Sequence, residues 1–163
     1  LGPGWSTAAN TPFRLHKTWL HEGGISTPMV VHWPEGLREK GAFRSMPAHI
    51  IDVAPTFLEL AGGDPNELSG QFEAPGISLV PFFRKEVQTD RPPLFFHHEG
   101  KKALRDGQWK ITTIEPDGAW ELYDLSEDRG ETNDLSQKYP EKLDEFVRLW
   151  EQEKEQMVRQ ISQ

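Results

Sequence analysis

The chain has 163 residues, 36% of them hydrophobic and 27% charged, with a formal net charge of −8 and a pI near 5.2. That length supports one core of modest size, and the acidic balance leaves no basic face to neutralise phosphates, which argues against a nucleic-acid partner. No cysteine occurs, so a disulfide framework, a thiolate metal site and a cysteine nucleophile are excluded; no run of about eighteen apolar residues and no basic-then-apolar leader marks a membrane span or a signal peptide.

Residues 1–9 hold two glycines and a proline and read as loop. The stretch from Asn10 to Pro28 then gathers a turn signal, Arg14, Lys17, His16, His21, Glu22 and the pair Gly23-Gly24. Pro12 and Pro28 restrict the residues before them, and two glycines allow a close approach of other backbone. A constrained loop rich in donors is suited to holding an oxyanion, although an ordinary glycine-rich connection has the same profile. Met29 to Trp33, closed by Pro34, reads as a continuous apolar strand of the kind buried on both faces of a parallel sheet. Nothing else in the chain offers parallel partners, so its sheet is expected to lie in an absent N-terminal part.

Asp52 as N-cap, Pro55 in the first turn and Gly62-Gly63 as the stop predict a helix over 53–61, with Val53, Phe57, Leu58 and Ala61 as its apolar stripe. Asp52 also invites a metal-ligand reading, for which capping is the plainer alternative. Residues 64–89 read as loop, relieved only by Ile77 to Phe83. From Pro93 to Leu125, short apolar runs separated by Glu99-Gly100, Asp106-Gly107 and Asp117-Gly118 predict an antiparallel meander. Such a sheet needs a cover on one face. The predicted cover is a helix opened by Pro140, which places Leu143, Phe146, Val147 and Trp150 on one side. Between sheet and helix, Glu127 to Asp134 reads as an exposed acidic loop, a weak match to a calcium loop because its terminal glutamate is missing.

Four ordered motifs carry a family resemblance. Asn10-Thr11-Pro12-Phe13-Arg14 with Lys17, followed by His21-Glu22-Gly23-Gly24-Ile25 and Pro28, resembles the N-T-P-F-R-x-x-K and H-E-G-G-I-x-x-P strings of the arylsulfatase family in the alkaline-phosphatase-like superfamily. Ile51-Asp52 through Gly62 is similar to that family's D-x-x-P-T-x-L helix. His98-Glu99-Gly100 with Ala103 to Lys110, and then Glu121-Leu122-Tyr123-Asp124-Leu125, resemble its H-E-G-x-x-A-x-R-x-G-x-W-K and E-L-Y-D-L segments.

The resemblance covers most of this chain but only about the last third of such an enzyme. It implies an α/β parent fold, of which this piece is α+β: residues 1–85 the end of the catalytic α/β domain, and 86–163 a small antiparallel sheet packed against a C-terminal helix. The implied function is the C-terminal part of a sulfuric ester hydrolase, inactive alone and completed by the missing N-terminal part, acting on a sulfate-ester small molecule or a sulfated glycan. Such a reaction needs a nucleophile, a divalent ion and cations where charge gathers on the sulfuryl group.

In the family these are formylglycine, calcium, and lysine, histidine and arginine side chains. The resemblance implies that calcium belongs to the parent, its ligands lying outside this piece, as does formylglycine: Ser26-Thr27-Pro28 and Ser45-Met46-Pro47 lack the arginine of the C/S-x-P-x-R motif. Lys17 corresponds to the lysine that contacts sulfate. His21 is expected on the substrate side or in packing, and Arg14 orients the loop through carbonyls. His98 is expected at the substrate rim, with the adjacent His97 on the opposite strand face. Two other readings stand beside this one: a phosphate or phosphonate monoester hydrolase of the same superfamily, and a non-catalytic interaction module.

Overall fold

In a computed structural model that describes residues 2–37, 39–66, 76–84 and 91–161, the chain forms two compact units, Leu1–Pro28 with Pro93–Gln163, and Met29–Pro92. The expected division at residue 85 concerns domains of a parent protein; within this chain the first 28 residues group with the sheet.

The predicted meander is present as β1 (Leu94–His98), β2 (Lys101–Asp106), β3 (Trp109–Thr113) and β4 (Trp120–Asp124), antiparallel throughout and in sequence order. Glu99 and Gly100 both have positive φ, 50° and 77°, the pattern of a primed two-residue hairpin turn whose twist matches the strands. Asp106 pairs with Trp109, so the next corner is Gly107-Gln108, one residue later than the sequence signal.

Helix α5 (Pro140–Ile161) covers one face of this sheet. Leu104, Ile111 and Leu122, one from each of three strands, pack with Phe146 and Trp150, and Leu143 and Val147 adjoin them. Trp150 is the centre of this core: it is fully buried, stacks on Phe95 at 5.2 Å and meets Trp120 edge-on at 5.6 Å. Its Nε1 donates to the Phe96 carbonyl at 3.2 Å, which satisfies the one polar atom the ring buries. The four-stranded antiparallel sheet with its C-terminal helix is therefore α+β, as the sequence implied.

Other expectations need correction. The stretch read as loop over 1–9 is largely helical: α1 (Pro3–Asn10) begins with proline in the first turn, where its missing N–H costs nothing, and Asn10 Nδ2 donates back to the Ser6 carbonyl at 2.6 Å. Met29 to Trp33 forms no strand, and Met29 and Val30 are 54% and 89% exposed. A strand needs a ladder partner for its N–H and C=O groups, and the four strands among the described residues pair with one another.

In the second unit a 3₁₀ turn (Ile50–Asp52) leads into α3 (Val53–Leu60), close to the predicted span. The buried face is not the predicted stripe, however. Pro55 and Thr56 are buried while Phe57 is 66% exposed. Polar bonds decide this: Thr56 Oγ1 donates to the Asp52 carbonyl at 2.6 Å and accepts from the Leu79 amide at 2.8 Å, turning the helix toward residues 77–82. Within the stretch read as loop, Val80–Arg84 is a short helix, α4, and Leu79, Val80 and Phe82 are buried; 67–75 and 85–90 lie outside the described residues. Asp52 does not cap α3 with its side chain. Its buried carboxylate accepts from the amides of His49 and Ile77, and Arg91 Nη1 lies 3.0 Å from it.

Replacing Trp150 by Ala is expected to cost about 3–5 kcal/mol, the range for emptying a buried aromatic site. Thermal denaturation of the variant should show a large fall in melting temperature; an unchanged value would mean that α5 does not depend on this contact.

Candidate functional site

Side chains alternate across a strand, so the face of the sheet opposite Leu104, Ile111 and Leu122 carries a different set. Register places Arg105, Lys110 and Tyr123 side by side in one cross-strand row, and Ala103, Thr112 and Glu121 in the next. This polar face is buried as well, and residues 14–26 supply its partners.

Lys110 is completely buried, with its ammonium 2.7 Å from Glu131 Oε1 and 3.1 Å from Glu22 Oε1. Glu22 also receives Arg129 Nη2 at 3.0 Å, and Arg105 Nη1 stands 4.0 Å away. The second oxygen of Glu131 accepts the Glu22 backbone N–H at 2.6 Å, at the start of the short helix α2 (Glu22–Ile25). The expected exposed acidic loop thus turns one carboxylate inward. Glu131 has φ 55° and no exposed surface, while Asp128 ties the loop by accepting the amides of Thr132 and Asn133, both at 2.8 Å.

A second set lies beside the first. Arg14 Nη1 donates to the Tyr123 hydroxyl at 2.8 Å and to the Glu131 carbonyl at 3.2 Å, and its Nη2 is 3.5 Å from Glu121. The carbonyl bond matches the orienting role expected of Arg14. His21 is fully buried, and its Nε2 donates to Glu121 Oε2 at 2.8 Å.

These charges set the titration of the buried acids. Burial pushes the Glu22 carboxyl up, but Lys110, Arg129 and Arg105 outweigh it and hold the group below its ordinary 4.5. Burial acts on Glu121 in the same sense, and the His21 hydrogen bond with the Arg14 charge again brings it below 4.5.

Over this anchored floor runs the turn that carries Lys17. Gly23 donates its N–H to the Arg14 carbonyl at 3.1 Å, and a Cβ on Gly23 would strike the carbonyl oxygens of Arg14 and Leu15. A Cβ on Gly24 would strike the Trp19 carbonyl. Only glycine permits so close an approach. Leu15 (φ 64°) and Thr18 (φ 94°) are left-handed non-glycine residues on either side of His16-Lys17, each costing about 1–3 kcal/mol that surrounding contacts must offset. Lys17 is exposed, and no hydrogen bond or ion pair among the described residues holds its ammonium.

His98, half exposed, lies 3.9 Å from Glu99, whose other oxygen is 3.7 Å from the Lys101 ammonium. Lys101 sits 5.9 Å from the Trp19 ring centre, and Trp19 meets His16 edge-on at 4.7 Å. A continuous run of side chains thus connects His98 to the Lys17 turn. His97 instead faces Trp150 at 5.7 Å, on the opposite side of β1 as expected.

The residues present do not fit a calcium site: among the described residues no group of three or more His, Cys, Asp or Glu is placed to hold a metal, and the carboxylate of Asp52 is taken by Arg91 and two amides. The residues that sequence reasoning missed are Lys110 and Glu131. Strand alternation next to Ile111 was a signal for Lys110, whereas nothing local distinguishes Glu131 from its acidic neighbours.

Residues 13–161 match the family model described as N-sulphoglucosamine sulphohydrolase, C-terminal. The chain belongs to this family. An uncharacterized sulfatase of Schizosaccharomyces pombe is 30% identical over 161 residues, which is 91% of this chain and 28% of that protein. A sulfatase of Formosa agariphila is 28% identical, covering 86% of this chain and 30% of the relative. Among solved structures, Ps i-CgsB in complex with k-i-k-neocarrahexaose superposes with a TM-score of 0.72 and 30% identity over 90% of this chain and 32% of that one. The chain thus spans about a third of the length of the relatives it matches. Within the matched span, residues of the motifs read from the sequence meet on the polar face: Arg14 with Tyr123, His21 with Glu121, and Glu22 with Lys110.

Both depressed carboxylates contribute stability that is present above their unfolded pKa and lost as pH falls through the folded one. The melting temperature should therefore fall steeply from roughly pH 5 to pH 3, and Glu121→Gln should flatten part of that fall. Parallel melts of the two proteins across this range check it; identical slopes would show that Glu121 gains nothing from His21 and Arg14.

Proposed function

We propose that this chain is the C-terminal part of a sulfuric ester hydrolase in which Lys17 is a catalytic residue contacting the substrate's sulfate. The observation that carries this reading is the contrast among the motif cations. Arg14 and Lys110 are engaged by carboxylates on the polar face, while Lys17 is exposed and unpaired among the described residues, on backbone held from beneath by Gly23 and Gly24. A free ammonium on a fixed turn is suited to an oxyanion that gains charge in a transition state.

Nucleophile and calcium would come from residues beyond this chain, with residues 1–85 closing the catalytic domain and 86–163 forming its C-terminal subdomain. His98, tied to the Lys17 turn through Glu99, Lys101 and Trp19, would touch the substrate at the rim. A neighbour crystallised with a neocarrahexaose favours a sulfated glycan over a small aryl ester as the natural substrate.

In the full-length enzyme, Lys17→Ala should lower kcat by about 10²–10³, the range for removal of one preorganised donor, with little change in stability. Lys17→Arg should rescue poorly, because a planar guanidinium does not fit the place of a compact ammonium. Steady-state turnover of an aryl sulfate by both variants checks this, and near-normal kcat in the alanine variant would remove Lys17 from the chemistry. An aryl phosphate run alongside tests the phosphomonoester alternative.

A further inference from the structure

The buried ion cluster stands directly beneath the Lys17 turn, and its geometry fixes more than the adhesion of two segments. Since no partner among the described residues holds the Lys17 ammonium, its position is set by its own backbone. That backbone lies against Gly23 and Gly24, too close for any side chain between them. Gly23-Gly24 belong to α2, a helix of four residues that is far too short to hold itself.

What holds α2 is Glu22 at its first position. The Glu22 side chain meets Lys110 and Arg129, and its N–H meets Glu131, so both the place and the rotation of α2 are determined. Glu131 reaches the other end of the turn too, because its carbonyl accepts from Arg14. An apolar pair of equal volume would fill the space but set neither direction nor rotation, since hydrophobic contact is non-directional.

We propose that Lys110, Glu22 and Glu131 are positioning residues for Lys17, acting through α2 and its glycine pair to hold the ammonium where the sulfate binds. The proposal rests on the reading that Lys17 contacts the sulfate. None of the three touches substrate; each acts through the turn.

A double-mutant cycle in the full-length enzyme separates this from a merely structural role, because residues that act through one another are non-additive. Wild type, Lys110→Met, Lys17→Ala and the double variant are compared for aryl sulfate turnover, with folding checked by thermal melts. Displacement of a catalytic group by about 1 Å costs up to about 10²-fold, so Lys110→Met should lower kcat by about 10- to 100-fold in the wild-type background. In the Lys17→Ala background the same substitution should change kcat by less than about twofold, since the positioned group is gone. Equal losses in both backgrounds, or wild-type kcat in folded Lys110→Met, would overturn the proposal while leaving the sulfate reading intact. Wild-type kcat in Lys17→Ala would instead sink the sulfate reading and this proposal with it. Should Lys110→Met fail to fold, Glu131→Gln, which keeps the Lys110–Glu22 pair, takes its place in the same cycle with the same expected pattern.

Discussion

A fully buried lysine between two buried carboxylates is the constraint on which the first unit depends. Lys110 sits in the middle strand pair of a sheet covered on both faces, and an unpaired ammonium there would cost several kcal/mol of lost hydration. Two acids must be brought to it, and each brings a segment: Glu22, 88 residues away in sequence, the glycine-pair turn, and Glu131 the loop before α5. Such a cluster gives little net stability relative to an apolar core, but removal of one partner costs about 3–5 kcal/mol, because a charge is then stranded. Its contribution is direction. The apolar face under α5 sets where the sheet packs; the ionic face sets which residues lie over which.

The two faces of one sheet therefore illustrate two ways of burying area. Toward α5, Leu104, Ile111 and Leu122 meet Phe146 and Trp150, and much of this was legible as strand alternation and helical spacing. On the other face, the partners that Arg14, His21 and Glu22 find in Tyr123, Glu121 and Lys110 are 88 to 109 residues away in sequence. Local pattern reading has no access to such pairs. The family resemblance marked Arg14, Glu22, Lys110, Glu121 and Tyr123 as motif residues without saying that they meet.

Where local reading failed, a polar or steric term overrode it. The predicted stripe of α3 lost to the Thr56 bonds with Asp52 and Leu79, and Asp52 was drawn from capping to Arg91 and the amides of His49 and Ile77. His21 stands beside the glycine pair in a donor-rich loop, yet it is fully buried against Glu121, so loop composition was no guide to exposure. The apolar run from Met29 to Trp33 has strand composition without a ladder partner, because composition states what a segment would bury and not whether this chain supplies the cover.

The central claim is that Glu22, through Lys110 and Glu131, locks the N-terminal segment onto the sheet as one cooperative unit. Amide hydrogen exchange on the 163-residue chain tests it most directly, since local opening is reported residue by residue. The Glu22 amide donates to Glu131 and the Gly23 amide to Arg14, so both should exchange as slowly as the amides of β3. Exchange of these two at the rate of an open loop, while β3 remains protected, would contradict the account.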